Sequence, residues 1–148
     1  MTDDEICEMV NQAFKGTPRP EHFTNYTHCD ECEEHDNLLR SRNLETLEVG
    51  DIDNEMWDPI CFLTPEGWRY YFPALVRISL EDLENGYVGH FLHHLMRSEN
   101  DPSFALFNKH QNRAAFWFLQ HVQERHKGLC DEDELAAALK IWKAKVVY

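Results

Sequence analysis

Apolar side chains recur at helical spacing from the first residues of the chain. Thr2 and Glu5 stand three positions apart in a capping-box pattern, and the apolar residues that follow fall on one helical face. Gly16 ends this stripe, so the sequence predicts a first helix between the capping box and that glycine. After an extended connection with two prolines, we predict a second helix from about Thr27 to Arg42.

Further stripes predict three helices in the second half of the chain. Apolar residues share one face over residues 87–98 and again over residues 109–127, where Gly128 suits a helix end. Asp131 and Glu134 then repeat the capping-box spacing ahead of a last apolar stripe. We therefore expect the chain to end in successive helices.

The middle of the chain has a weaker pattern. Residues 44–63 scatter apolar side chains among acidic ones, and a small strand or hairpin would fit there. Thr64 and Pro65 form an N-cap followed by proline at the first helical position, which predicts the start of another helix. Pro73 lies within that helix and should kink or break it, because proline lacks the amide hydrogen that the helix needs.

Size and composition agree with one folded domain. A chain of 148 residues is long enough to bury roughly 70% of its unfolded surface. Hydrophobic residues make up 43% of it, and it contains no internal repeat, low-complexity tract or linker. The sequence thus predicts a single, mainly α domain over residues 1–148 with about five to six helices.

The cysteines and the N-terminal residues indicate the compartment. The chain opens with polar and acidic residues, and we find neither a signal peptide nor a membrane-spanning stretch. Its five cysteines are an odd number, which favours reduced thiols over a disulfide framework. We therefore expect a soluble cytoplasmic protein without a membrane partner.

The negative charge is confined to one half of the sequence. Residues 1–66 hold 17 acidic and four basic residues, whereas residues 67–148 hold ten of each, so the net charge of −13 belongs to the first half. A field of this sign repels nucleic acid and anionic lipid and attracts cations or basic proteins. We expect no nucleic-acid partner, and both a solubilising surface and a basic protein partner fit.

A cysteine–histidine cluster carries the clearest chemistry. Cys29 and Cys32 form a C-x-x-C pair flanked by His28 and His35, and His22 lies a short loop earlier. Two sulfurs can converge on one ion from a single turn, and zinc favours sulfur together with imidazole. These five side chains are therefore the candidate ligands of a zinc site. On an ideal helix His35 would point about 120° away from Cys29, which leaves His22 or His28 as equally good further ligands.

Three interpretations of the cysteine pair stay open from the sequence. Five of the eight residues 29–36 are carboxylates, whose field should raise thiol pKa values and attract a divalent cation. Electrostatics thus favours a metal over thiol redox chemistry, although a helix N-terminus would offset part of that field. The third interpretation is that the cysteines are ordinary reduced thiols.

A second group of polar residues lies on the helix predicted over residues 87–98. These residues fall roughly opposite the apolar stripe, so we expect them to be exposed to solvent or to a partner. They are His90, His93, His94 and Arg97. We interpret three later histidines in the same way, namely His110, His121 and His126.

Five short strings stand out across residues 13–120. They are Arg19-Pro20-Glu21-His22-Phe23, His28-Cys29-x-x-Cys32-x-x-His35-Asp36, Phe62-x-Thr64-x-Glu66-Gly67, Tyr71-Phe72-Pro73-Ala74-Leu75 and the segment from Gln111 to Leu119. These strings resemble those of small bacterial proteins of unknown function. The resemblance implies a bacterial cytosolic protein and implies no activity.

Phosphate-binding glycine loops and the common hydrolase and metalloprotease motifs do not occur in the sequence. We therefore rank first a non-enzymatic binding module with a structural zinc site. An acidic inhibitor or immunity-type protein that binds a basic partner is the second hypothesis. A thiol-redox or metal-dependent enzyme is the third.

Overall fold

The computed structural model describes residues 1–54, 56–97 and 101–147. Within these ranges the protein is mainly helical and contains no strand, so the predicted fold class is confirmed. The helices are α1 (Asp3–Phe14), α2 (Asp30–Arg40), α3 (Val49–Ile52), α4 (Pro65–Glu81), α5 (Tyr87–Leu95), α6 (Lys109–Arg125) and α7 (Glu132–Val147). Short 3-10 turns lie at Pro59–Phe62, Leu83–Asn85 and Pro102–Phe104.

Capping determines where α1 and α2 begin. The predicted capping box is present in α1, where the Glu5 amide donates to the Thr2 hydroxyl and the Thr2 amide donates to the Glu5 carboxylate. In α2 the Cys29 sulfur occupies the N-cap place and accepts a hydrogen bond from the Cys32 amide. Helix α2 therefore starts at Asp30, a little later than the sequence predicts.

Helix α4 lies at the centre of the fold. Most of its side chains are buried, and α1, α5 and the turn Pro102–Phe104 pack around it. The predicted N-cap is confirmed, because the Thr64 hydroxyl accepts from the Gly67 amide and Pro65 opens the helix. The helix runs on through Pro73, so the predicted break is wrong. Burial of the side chains before and after this proline compensates for the missing backbone hydrogen bond.

The segment over residues 44–63 is organised by carboxylates. It contains α3 and the turn Pro59–Phe62, and its described residues form no strand or hairpin. The Asp58 carboxylate accepts from the Ile60 amide at 2.9 Å and so starts the 3-10 turn. Side chains that bond to nearby amides favour turns over strands, which explains this difference from the hairpin that we considered.

Helix α5 buries the predicted apolar stripe but is shorter than predicted. It ends at Leu95, and Ser98, the predicted end, lies outside the described residues. The buried residues of the stripe are Val88, Phe91, Leu92 and Leu95.

Helices α6 and α7 pack against each other and close the fold. Helix α6 also lies against α1, and α7 contacts α5. Gly128 joins them with a φ of +97°, a conformation that only glycine adopts at little cost. The Asp131 carboxylate accepts from the Asp133 and Glu134 amides and caps α7. The predicted cap of α7 is therefore confirmed, whereas α6 ends at Arg125, two residues before the predicted Lys127.

Candidate metal centre

The C-x-x-C pair lies at the start of α2. Cys29, the N-cap residue, is exposed, whereas Cys32 lies in the first turn and is buried. The two sulfur atoms are 3.2 Å apart and share a hydrogen bond. The Cys32 amide donates to the Cys29 sulfur across 3.4 Å. The helix cap therefore presents one sulfur to solvent and places the second directly beside it.

The two thiols differ in pKa. Hydrogen bonds from the Cys32 amide, the Cys32 thiol and His28 lower the pKa of Cys29. The hydrogen bond to Cys29, and then burial, raise the pKa of Cys32. The expectation that nearby carboxylates would raise the thiol pKa values is therefore wrong for Cys29. Hydrogen bonds act at contact distance, whereas most of these carboxylates are exposed and screened by water.

His28 completes a group of three ligand atoms, which we call the cysteine group. Its Nδ1 lies 3.7 Å from the Cys32 sulfur. One ligand atom each from His28, Cys29 and Cys32 lies within 4.8 Å of the other two. Of these residues His28 and Cys29 are exposed, so the group opens to solvent.

His22 lies outside this group of converging ligand atoms. Its Nδ1 pairs with the Asp36 carboxylate at 2.7 Å, and its ring stacks on Tyr26. Asp36 is buried and also accepts from the amides of Phe23 and Thr24, at 2.6 and 3.2 Å. These hydrogen bonds hold the loop before α2.

His35 also lies outside the cysteine group. Its side chain is fully buried between the rings of Trp57 and Phe62, with centroids 4.6 and 4.7 Å away. Its Nε2 lies 3.4 Å from the Glu31 carboxylate, and its Nδ1 has no hydrogen-bond partner in the described part of the chain. This position follows the helical rotation expected between residues 29 and 35.

A second group, which we call the Asp58 group, forms where the Asp58 side chain meets α5. His90 and His94, one turn apart, place their Nε2 atoms 2.7 and 3.2 Å from the same Asp58 oxygen. Asp58 and His94 are buried, and the His90 side chain is only 15% exposed. The prediction that both histidines are exposed is wrong, because Asp58 pairs with both rings, the Trp68 ring lies against His94 and the Tyr87 ring lies against His90. His93 is exposed, as predicted.

Arg97 determines the tautomer of His94. Its guanidinium donates to His94 Nδ1 at 3.1 Å and to the Ser103 hydroxyl at 2.7 Å. Arginine only donates, so the His94 proton is on Nε2 and points at Asp58. Burial lowers the pKa of His94, Asp58 opposes this effect and Arg97 reinforces it. Burial alone would raise the pKa of Asp58, but hydrogen bonds from His90 and His94 hold that pKa well below its usual range.

Two more polar side chains border Asp58. The Cys61 thiol donates to the Asp58 carboxylate at 3.4 Å. Burial, and then Asp58, raise the pKa of Cys61 to about 11, so this thiol stays protonated at neutral pH. The Tyr87 hydroxyl is buried without a hydrogen-bond partner among the described residues, and burial raises its pKa well above the usual value. Neither side chain is a nucleophile or a base at neutral pH.

A third group, which we call the Asp3 group, joins the start of α1 to the end of α6. The Nε2 atoms of His121 and His126 lie 2.6 and 2.7 Å from the same Asp3 oxygen. His121 is buried and the His126 side chain is 13% exposed, so the predicted exposure of these two histidines is wrong. Burial would raise the pKa of Asp3, but the two hydrogen bonds lower it. His110 is exposed, as predicted.

Asp3 and Asp58 are the site residues that sequence reasoning missed. Asp58 is the N-cap of the 3-10 turn and Asp3 is the first residue of α1, two places where a carboxylate has an ordinary structural role. For the Asp58 group, the one local signal in the sequence was the spacing of His90 and His94 by four residues, which placed both on the same side of a helix.

Two concave surfaces accompany these groups. A cavity of about 500 Å³ lies between α1, α4 and the segment after α2, and its lining includes Cys7, Phe14, Leu44, Tyr70, Pro73 and Arg77. A groove of about 390 Å³ between α1 and α6 is lined by Met9, Ala13, Arg113 and the exposed Trp117, among others.

Comparisons with known proteins identify the family but no activity. Among the described residues, no helix has both the length and the apolar composition needed to cross a membrane. Comparison with curated proteins and with solved structures gave no match. A family model, described as a family of unknown function (DUF6714), matches residues 2–146. The chain therefore belongs to this family.

Proposed function

We propose that this chain is a metal-binding module that holds one zinc ion through Cys29, Cys32 and His28. The observation that carries the proposal is the convergence of two sulfurs and one imidazole nitrogen within 4.8 Å at an exposed helix start. Thiolate and imidazole are the ligands that zinc prefers in proteins. The fourth coordination place is open to water or to a side chain of a partner.

Small movements would convert the cysteine group into a zinc site. Tetrahedral zinc with bonds of about 2.3 Å to sulfur holds two sulfurs about 3.8 Å apart. The Cys29 and Cys32 sulfurs are 3.2 Å apart, so they need to separate by only about half an ångström. The lowered pKa of Cys29 supports the proposal, because zinc binds the thiolate. The carboxylates around the pair add an attractive field for the cation.

We expect the fourth coordination position of the zinc to stay open because the other two candidate histidines lie outside the cysteine group. His22 is paired with Asp36, and His35 is buried between two aromatic rings. A site with three protein ligands keeps a position for an outside group, in contrast to a closed structural site. We expect a partner to supply that group, and the net charge of −13 in the first half favours a partner with a basic surface.

Cobalt substitution tests the proposal on protein purified without a metal-affinity tag. Cobalt bound to thiolate gives an intense sulfur-to-metal absorption in the near ultraviolet, which nitrogen and oxygen ligands do not give. Cys29→Ser is the sharpest variant, because serine keeps the helix cap but is a poor zinc ligand. We expect the absorption to weaken, because one of the two thiolates is gone, and zinc affinity to fall at least about a hundredfold, the upper end of what loss of an outer-shell contact costs.

Cys130→Ser is the matched control. Its thiol is half-buried and lies outside the cysteine group, so the absorption and the zinc affinity should stay as in the wild type. Equal zinc affinity and equal absorption in Cys29→Ser and Cys130→Ser would contradict the proposal.

Thiol–disulfide exchange is a second candidate function, favoured by the unequal pKa values of the pair. The exposed Cys29 thiolate would attack one sulfur of a substrate disulfide and expel the other as a thiolate. That thiolate takes up the proton of Cys32, whose sulfur then attacks the Cys29 sulfur, breaks the mixed disulfide and expels the second half of the substrate as a thiolate. The products are the reduced substrate and a Cys29–Cys32 disulfide, which a small dithiol such as dithiothreitol reduces to complete the cycle.

Metal-free protein with a small aromatic disulfide as substrate tests this alternative. We expect wild type to accelerate reduction of the substrate by dithiothreitol, and Cys32→Ser, mixed with the substrate without dithiothreitol, to stop at a mixed disulfide on Cys29. Cys61→Ser is the control. It removes a thiol that stays protonated at neutral pH, so this variant should react like wild type. If wild type gives no acceleration over dithiothreitol alone, thiol–disulfide exchange is excluded and zinc binding is unaffected.

A further inference from the structure

The Asp3 group brings together residues that are more than a hundred positions apart in the chain. Asp3 opens α1, His121 lies in the last turns of α6, and His126 is the residue that ends α6. We propose that these three side chains bind a divalent transition metal of the zinc class and so join α1 to α6. This site is separate from the cysteine group and does not rest on it.

The ligand set suits zinc better than calcium or magnesium. Two imidazoles and one carboxylate are borderline ligands, whereas calcium and magnesium prefer oxygen atoms alone. In a tetrahedral zinc complex the ligand atoms lie about 3.4 Å apart, since each bond is about 2.0 to 2.2 Å. The present separations of 2.6 and 2.7 Å therefore need to open by less than an ångström.

The protons can also rearrange without breaking other contacts. Each imidazole now donates its Nε2 proton to Asp3, and metal binding would require that proton on Nδ1. In the described part of the chain neither Nδ1 of His121 nor that of His126 makes a hydrogen bond. Both rings can therefore adopt the tautomer that leaves Nε2 free for a metal.

The Asp58 group has the same ligand types but lacks this freedom. Arg97 donates to His94 Nδ1, which holds the His94 proton on the nitrogen that a metal would need. The guanidinium also adds a fixed positive charge that repels a cation. In the Asp3 group, by contrast, none of the three side chains forms a hydrogen bond or ion pair with a lysine or arginine of the described residues.

The Asp3 group and the Asp58 group also differ in their exposure to solvent. The Asp3 side chain is 34% exposed, whereas that of Asp58 is 2% exposed. A metal can therefore reach Asp3 from solvent, and water can complete its coordination. These differences select the Asp3 group rather than the Asp58 group as the second metal site.

The experiment uses the full chain with the cysteine group silenced by Cys29→Ser and Cys32→Ala. Titration with zinc chloride, followed by calorimetry, should show one zinc bound per chain, and zinc should raise the Tm. His126→Gln in this background should weaken zinc binding at least about tenfold, a conservative figure for a ligand. The glutamine amide can still donate to Asp3, so the metal-free fold is kept.

His110→Gln is the matched control, because it removes an exposed histidine from the same helix. The readout is the zinc-induced change in Tm relative to the same variant in chelator, so altered fold stability does not affect it. The proposal is overturned if the silenced chain binds no zinc, or if His126→Gln and His110→Gln bind zinc equally. Because cobalt–sulfur absorption reports the cysteine group alone, the two proposals can fail separately.

Discussion

The cysteine group and the Asp58 group are both rich in metal-binding side chains, but the structure uses them in opposite ways. The cysteine group takes its ligand atoms from residues 28–32 and presents them to solvent. The Asp58 group joins a carboxylate to two histidines that lie 32 and 36 positions later, and all three side chains are largely buried. One region is built from neighbouring residues and is accessible, whereas the other is assembled by tertiary packing and is closed.

The difference shows that free lone pairs, rather than residue types, decide what a site can bind. In the Asp58 group one carboxylate oxygen already accepts from His90 and His94, and Arg97 occupies the far side of His94. Each hydrogen bond satisfies a buried polar atom, so the group contributes to stability. The sulfur of Cys29 and the ring of His28 are exposed and can take an outside ligand.

Removal of Asp58 gives the largest expected effect. Asp58→Ala leaves the imidazole donors of His90 and His94 without their shared carboxylate, so we expect the free energy of unfolding to fall by about 3–5 kcal/mol. Urea denaturation measures this loss. Asp53→Ala, which removes an exposed carboxylate nearby, should change it by less than about 0.5 kcal/mol. A loss below about 1 kcal/mol for Asp58→Ala would show that the group is not structural.

Replacement of Arg97 should allow the Asp58 group to bind zinc, as we propose for the cysteine group. Arg97→Met removes the donor to His94 Nδ1, and we expect a loss of about 1.5–3 kcal/mol in urea denaturation. The same variant should let zinc raise the Tm through the Asp58 group, because the His94 proton can then move to Nδ1. This measurement requires Cys29→Ser, Cys32→Ala and His126→Gln in the background. No zinc effect there would mean that burial, rather than Arg97, closes the site.

The pH dependence of the free energy of unfolding gives a further test of the structural role of the Asp58 group. Burial lowers the pKa of His94, so below about 6.5 an unfolded histidine takes up a proton that the folded one refuses. Stability should therefore fall as pH drops from about 6.5, by up to about 1.4 kcal/mol per pH unit for this group. Urea denaturation at several pH values measures the slope. His94→Gln should reduce it, and His93→Gln, at an exposed position, should not.

At lower pH the protonation of Asp58 adds to this loss of stability. The pKa of Asp58 is held well below its usual range, so its contribution is present above the unfolded value of about 3.9 and disappears as pH falls through the folded value. Asp58→Ala should therefore flatten the acid limb of the stability curve. An unchanged limb would contradict the lowered pKa.

The smallest effect is expected at Cys29. In a chelating buffer Cys29→Ser should change the free energy of unfolding by less than about 0.5 kcal/mol, because serine also caps the helix. Cys29→Ala should cost about 1 kcal/mol, because alanine cannot accept from the Cys32 amide. Equal stability of the two variants would show that the sulfur does not act as a cap.

Local chemistry accounts for the features that the sequence determined by itself. Thr2, Thr64 and Asp131 cap helices through bonds to amides two or three residues away, so short patterns were enough to predict them. The proximity of Cys29 and Cys32 is equally local, since one helical turn brings both sulfurs together. Apolar stripes likewise predicted the mainly α fold, because each stripe follows the period of its own helix.

Tertiary structure alone decided which polar residues became buried. The sequence shows that His90 and His94 share one side of a helix, but only the packing of Asp58 against that side turns exposure into burial. The pairing of Asp3 with His121 likewise depends on how α1 lies against α6 across more than a hundred residues. A buried carboxylate and its imidazole partners are selected together by desolvation, and desolvation is a property of the packed fold rather than of any short segment.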